Sequence, residues 1–148
     1  MRNRSAVVLA AVVFAVAMAG CMPGDARTFL DRTNALRSSQ GIAPLHEEDT
    51  LTNKAEAWAQ HMASTGVLAH SSLSAGLGGL PWRSLGENVG VSSPTGDTLL
   101  SIHNAFVGSS YHRANLLNRG FTNMGVGVAQ DRYGRIWVAQ VFASLPQP

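Results

Sequence analysis

Three side chains able to bind a metal or move a proton stand in otherwise apolar or glycine-rich surroundings. They are His70 in Leu-Ala-His-Ser, Glu87 in Gly-Glu-Asn-Val and His112 in Ser-Tyr-His-Arg-Ala-Asn-Leu-Leu. Two neutral imidazoles and a carboxylate form a His₂Glu donor set, the composition that catalytic zinc sites use with water in the fourth place. Each imidazole would need an orienting partner on its second nitrogen, and Ser71 or Ser109 could supply one. Nothing local ties the three together. Sixteen residues separate the first two and twenty-four the last two, with no His-Glu-x-x-His pair on one helix. A Ser-His-Asp reading is weaker, because Gly108-Ser109-Ser110 is not a nucleophile elbow and no motif places an aspartate. Taken singly, each residue has a plain structural reading, and only the fold can make them a site.

The elements that must position them are legible from periodicity and punctuation. Arg27 to Ser39 reads as a first helix, with Phe29, Leu30, Thr33 and Leu36 on its mixed apolar side and Gly41 ending it. Asp49 or Thr50 caps a second helix behind Glu47 and Glu48, where carboxylates suit the positive end of the dipole. Leu51, Ala55, Trp58 and Met62 form its apolar stripe, and Gly66 stops it. His61 on the flank of that stripe and His46 in a polar loop read as solvent-facing. Leu73 to Pro81 is a loop with neither a phosphate-binding nor a dinucleotide pattern. Gly86 to Val91 reads as a short strand. Thr95 or Asp97 caps a third helix carrying Leu99, Ile102 and Phe106, which runs into the Ser109 stretch. The chain closes with a hairpin. Met124, Val126 and Val128 alternate with Gly125, Gly127 and Ala129, Asp131 to Gly134 turns, and Ile136 to Phe142 returns.

The 148 residues fit one domain. Arg2 and Arg4 precede an apolar run from Ala6 to Met18 that is shorter than the ~20 residues of a membrane span, and small residues follow. This is the pattern of an export signal over residues 1–20. Ala17-Met18-Ala19 fits ordinary signal peptidase, whereas Met18-Ala19-Gly20-Cys21 resembles a bacterial lipobox that would place lipid on Cys21, the only cysteine. Residues 21–27 would then be a short tether and 28–145 the domain. Without Arg2 and Arg4 the chain has nine basic and nine acidic residues. That balance gives no support to nucleic-acid binding.

Asn34-Ala-Leu-Arg37, Pro44-Leu45, Ala57 to Met62, His70-Ser71, Gly86-Glu-Asn-Val89, His112-Arg-Ala-Asn-Leu-Leu117 and Met124-Gly-Val-Gly-Val128 occur in this order. Together they resemble the CAP superfamily (cysteine-rich secretory proteins, antigen 5 and pathogenesis-related 1), or SCP domain, in its short bacterial form. The resemblance runs from about Phe29 to Phe142. It implies an α+β fold, an α-β-α sandwich with a small antiparallel sheet between helical layers. It also implies a cleft lined by two histidines and two acids, of which His70, Glu87 and His112 match. The second acid falls on Ser109, so the tetrad is incomplete.

Three functional classes are open. The first, and the favoured one, is an exported and lipid-anchored binding module on the outer face of the cytoplasmic membrane. Its cleft, His70, Glu87, Ser109 and His112, would take a small lipid or peptide, or weakly hold Zn²⁺ or a similar cation through His70, His112 and Glu87. No cofactor would be obligatory, and the chain would act as a monomer. The second is a metal-dependent peptidase or esterase of the envelope, weakened by the missing acid. The third is an interaction domain with a vestigial cleft.

Overall fold

The glycine-valine alternation near the C-terminus sets the architecture. A computed structural model describes residues 20–146. In chain order the elements are β1 (Gly20–Cys21), α1 (Pro23–Ser39), β2 (His46–Glu47), α2 (Asp49–Thr65), β3 (Ser84–Ser92), α3 (Thr98–Gly108), α4 (Ser110–Leu116), β4 (Asn123–Gln130) and β5 (Ile136–Ser144). The sheet runs β1-β4-β5-β3 with every neighbour antiparallel, and the two-residue β2 adds a parallel pair to β4 through His46 and Asn123. The export signal expected over residues 1–20, apart from the backbone of Gly20 in β1, and the Cys21 side chain lie outside what is described.

Met124, Val126 and Val128 of β4 and Ile136, Val138 and Phe142 of β5 pack against α1, α3 and α4. The intervening Ala129, Trp137, Ala139, Val141 and Ala143 pack against α2. Helical layers thus cover both faces, the expected α-β-α sandwich. The glycines have a steric cause. A Cβ on Gly125 or Gly127 would fall onto the α2 backbone at Leu51–Thr52 or Ala55–Glu56. These glycines let α2 lie directly on the sheet, with Leu51, Ala55, Ala59 and Met62 fully buried.

Three expectations need correction. The first helix starts at Pro23 rather than Arg27, so most of the tether expected over 21–27 is folded. Proline suits the first helical position, because its missing N–H would be unpaired there anyway, and Ala26 is already in the core. Asp49 and Thr50 do not cap α2, because Glu48 Oε2 accepts from the Leu51 N–H at 2.8 Å. The Ser109 stretch is not a continuation of α3. Ser109 is extended (φ −90°, ψ 125°), ends α3 and opens α4.

Two of the sequence landmarks are structural. Asn34 donates to the Leu45 carbonyl and accepts from the Leu45 N–H, at 2.9 and 2.8 Å. The buried Arg37 guanidinium donates to the carbonyls of Ala43, Leu116, Asn118 and Phe121, tying α1 to the end of α4 and the approach to β4. Burial, with Arg119 adding repulsion, lowers its pKa.

Candidate functional site

Side chains at 85, 89 and 91 of β3 join the α2-side core, while Gly86 and Gly90 face Phe121 and Phe106 on the other layer. By alternation Glu87 points toward the α2 side, where the chain leaving α2 delivers His70 and Ser71. Glu87 Oε1 lies 2.8 Å from His70 Nδ1 and accepts from the Ser71 N–H at 2.9 Å, and Oε2 accepts from Ser71 Oγ at 2.6 Å. The Glu87 side chain is 1% exposed and that of His70 is 62% exposed. A buried carboxylate on Nδ1 favours the tautomer with the proton there and leaves Nε2 as an acceptor toward solvent.

The loop carrying His70 is pinned from α2. Trp58 Nε1 donates to the Ala69 carbonyl at 2.8 Å, and Lys54 Nζ donates to the Ser72 and Ala75 carbonyls at 2.8 and 2.9 Å. Trp58, which the apolar stripe assigns to the core, is only half-buried and holds the loop of the first histidine. Nothing in the local sequence marks that role. His61 stacks on the Trp58 ring at 4.7 Å and is exposed, as is His46.

His112 is the third residue of α4, and its ring meets Phe106 edge-on at 4.9 Å. Partial burial lowers its pKa, with repulsion from His70 as the second cause. Ser109 accepts a long hydrogen bond from the His112 N–H at 3.5 Å as the cap of α4. Beneath them Asn115 donates to the Glu87 carbonyl and to Asn88 Oδ1, at 3.1 and 2.9 Å, and Asn88 donates to the His112 carbonyl at 3.2 Å. The two asparagines beside Glu87 and His112 therefore fix β3 against α4.

The four expected residues divide. Ser109 and His112 line a groove of about 340 Å³ with Leu68, Val89, Gly90, Val91, Ile102 and Phe106. His70 and Glu87 form a separate hydrogen-bonded pair and do not line it. Among the described residues no group of three or more His, Cys, Asp or Glu side chains is placed to hold a metal ion. Glu87, expected as a third ligand, has both oxygens engaged and is out of solvent, so it serves as the ring partner of His70.

The groove runs along the outer edge of β3, which pairs only with β5 among the described residues. Gly90 lets the Phe106 ring pack directly on the β3 backbone beside it. A Cβ on Gly90 would meet the Phe106 ring at 2.9 Å.

The family described as CAP, the cysteine-rich secretory protein family, matches residues 30–142. The uncharacterized protein YkwD of Bacillus subtilis is 32% identical over 118 residues, covering 75% of this chain and 44% of its own length, so this chain spans less than half of that relative. An outer surface protein of Borrelia burgdorferi superposes with a TM-score of 0.75 at 15% identity, over 87% of this chain and all of that one. A cysteine-rich secretory protein of Staphylococcus aureus gives 0.66 at 23% identity, over 87% of this chain and 40% of that one. An extracellular SCP-domain protein of Bacillus anthracis gives 0.63 at 25% identity, over 82% and 40%.

Proposed function

The chain belongs to the CAP family, and from that premise we propose that it is an exported binding module whose β3-edge groove takes the apolar part of a small envelope ligand, an acyl chain or apolar peptide segment. The polar end of the ligand would meet His112 and His70. The observation that carries this reading is the groove itself, apolar along Val89, Val91, Ile102 and Phe106 and polar at Ser109 and His112. Concave, mainly apolar surfaces with a few convergent polar groups are the usual form of small-ligand sites.

Binding is favoured over hydrolysis for two reasons. The Glu87 carboxylate is committed to His70 and Ser71, and Ser109 is a helix cap where a second acid would be needed as base. The leader pattern before Cys21 supports export and lipid anchoring, and the relatives from Borrelia and Bacillus anthracis carry outer-surface and extracellular descriptions of their own. A divalent cation such as Zn²⁺ would be held weakly by His70 and His112, and no chemical step is assigned to it.

Titration with a fluorescent single-chain fatty acid and with an apolar peptide tests the proposal. Saturable binding of either should be lost in Ala105→Phe, which fills the groove, and weakened several-fold in His112→Ala. Binding unchanged in Ala105→Phe would sink it. Peptidase or esterase turnover abolished by Glu87→Gln and by chelator would put the hydrolase in its place.

A further inference from the structure

The N-terminal strand fixes where the leader departs. β1 pairs antiparallel to β4 with Gly20 opposite Gln130 and Cys21 opposite Ala129. Gly20, to which the preceding chain is joined, therefore lies beside Gln130, the residue before the β4–β5 turn at Asp131–Gly134. That preceding chain carries the apolar run from Ala6 to Met18, and Cys21 is the expected lipid site. Whether the hydrophobic group is the leader or a lipid on Cys21, it is attached at this end of the sheet.

The turn presents a particular surface. Tyr133 is 68% exposed, and its ring lies under the guanidinium groups of Arg132 and Arg135, at 5.1 and 5.6 Å. The turn is rigid. Asp131 Oδ1 accepts from the backbone N–H groups of Tyr133 and Arg135, and the Asp131 carbonyl accepts from Gly134. The Asp131 carboxylate is buried and paired with Arg135 and the Trp137 indole, and among the described residues Arg132 has no ion-pair partner. Gly66 lies against Arg135, its added Cβ 3.7 Å from the guanidinium, which brings the 59%-exposed Val67 to the same end.

We propose that this turn, Arg132, Tyr133 and Arg135 with Val67 beside it, is a membrane-contact surface that seats the domain on an anionic phospholipid bilayer. The proposal rests on the reading that the chain is held at a membrane by its N-terminus. Aromatic rings settle at headgroup depth, and each basic side chain near an anionic surface adds attraction. Among the described residues no helix is long and apolar enough to cross a membrane, so the contact is peripheral. The outer edge of β3 ends at the same side, since Ser92 pairs with Ile136 next to Arg135. The Ser92 end of the groove therefore lies at the same end of the sheet as the turn.

The test is co-sedimentation of the full chain with phosphatidylcholine vesicles, with and without a quarter phosphatidylglycerol, for the parent and for Arg132→Glu/Tyr133→Ser. The parent should partition about fivefold or more strongly to the anionic vesicles at low salt. High salt and the double variant should each remove that preference. Both side chains are exposed, so the variant should unfold at the parent's midpoint. Equal partition to both vesicles, or a variant that keeps the preference, overturns the proposal. The anchor is read separately, from retention on pure phosphatidylcholine. A chain absent from those vesicles yet enriched on anionic ones would sink the anchor and keep the turn.

Discussion

Glu87 lies buried beneath an exposed histidine, its Oε1 2.8 Å from His70 Nδ1. The carboxylate holds the ring and leaves Nε2 to face solvent. Glu87→Gln removes the charge and one acceptor from a site that also receives Ser71 N–H and Oγ. It should lower stability by about 1–3 kcal/mol and free the ring, read by thermal unfolding and by the ¹⁵N shifts that report the His70 tautomer. A ring locked as in the parent would show that backbone packing, not Glu87, sets it.

Zn²⁺ titration by calorimetry should show weak binding lost in His70→Ala/His112→Ala. Burial and His70 lower the pKa of His112, so this ligand stays unprotonated further into acid than a free histidine near 6.5. Affinity should still fall as pH is lowered, because imidazoles must shed protons to bind. Glu87→Gln should weaken binding about 10–100-fold through loss of the orienting partner. Unchanged affinity in Glu87→Gln would place the cation away from His70.

Asp131 gives a pH prediction. Burial alone would raise its pKa, but hydrogen bonds from the Trp137 indole, Arg135 and the backbone N–H groups of Arg135 and Tyr133 hold it down to about 2. Its stabilisation is complete above the unfolded value near 3.9 and lost as pH falls through about 2. Asp131→Asn should therefore cost about 2–3 kcal/mol at neutral pH, and the gap to the parent in unfolding curves should close toward pH 2. A gap independent of pH would mean that shape, not charge, matters there.

Gly125→Ala and Gly127→Ala place a methyl group on the α2 backbone. Since backbone cannot give way as a side-chain tip can, each should destabilise by more than about 3 kcal/mol or prevent folding. Gly24→Ala, whose added Cβ meets nothing within 4 Å, serves as the control in the same denaturant series.

Arg37→Lys should not rescue the loss caused by Arg37→Ala. One ammonium cannot reach four carbonyls contributed by three stretches of chain. Both variants should unfold about 3–5 kcal/mol more easily, and a parent-like midpoint for Arg37→Lys would contradict the assigned role.

The strand and helix pattern and the candidate site residues were legible in the chain, and the layers followed from the family resemblance that its motifs carry. Alternation at Met124-Gly-Val-Gly-Val128 marks β4 as a strand, because a strand has a period of two whatever surrounds it, while which helix covers each face is given by the structure. The Leu51–Met62 stripe and the Asp97 cap of α3 are equally local. The contacts of His70 and Glu87 depend on the packing of distant segments. Glu87 reads as a metal ligand in composition, yet its partners lie sixteen and seventeen residues away in sequence, and the direction of its side chain follows from the β3–β5 register. Ser109 reads as a missing acid and is a helix cap, a role created by the break between α3 and α4. The start of α1 and the pairing of β1 were hidden because Pro, Gly and Asp read as a tether until Ala26 has a core to enter. Of the groove, only Ser109 and His112 were expected, because its apolar wall of Val89, Val91, Ile102 and Phe106 exists only once β3 and α3 are side by side.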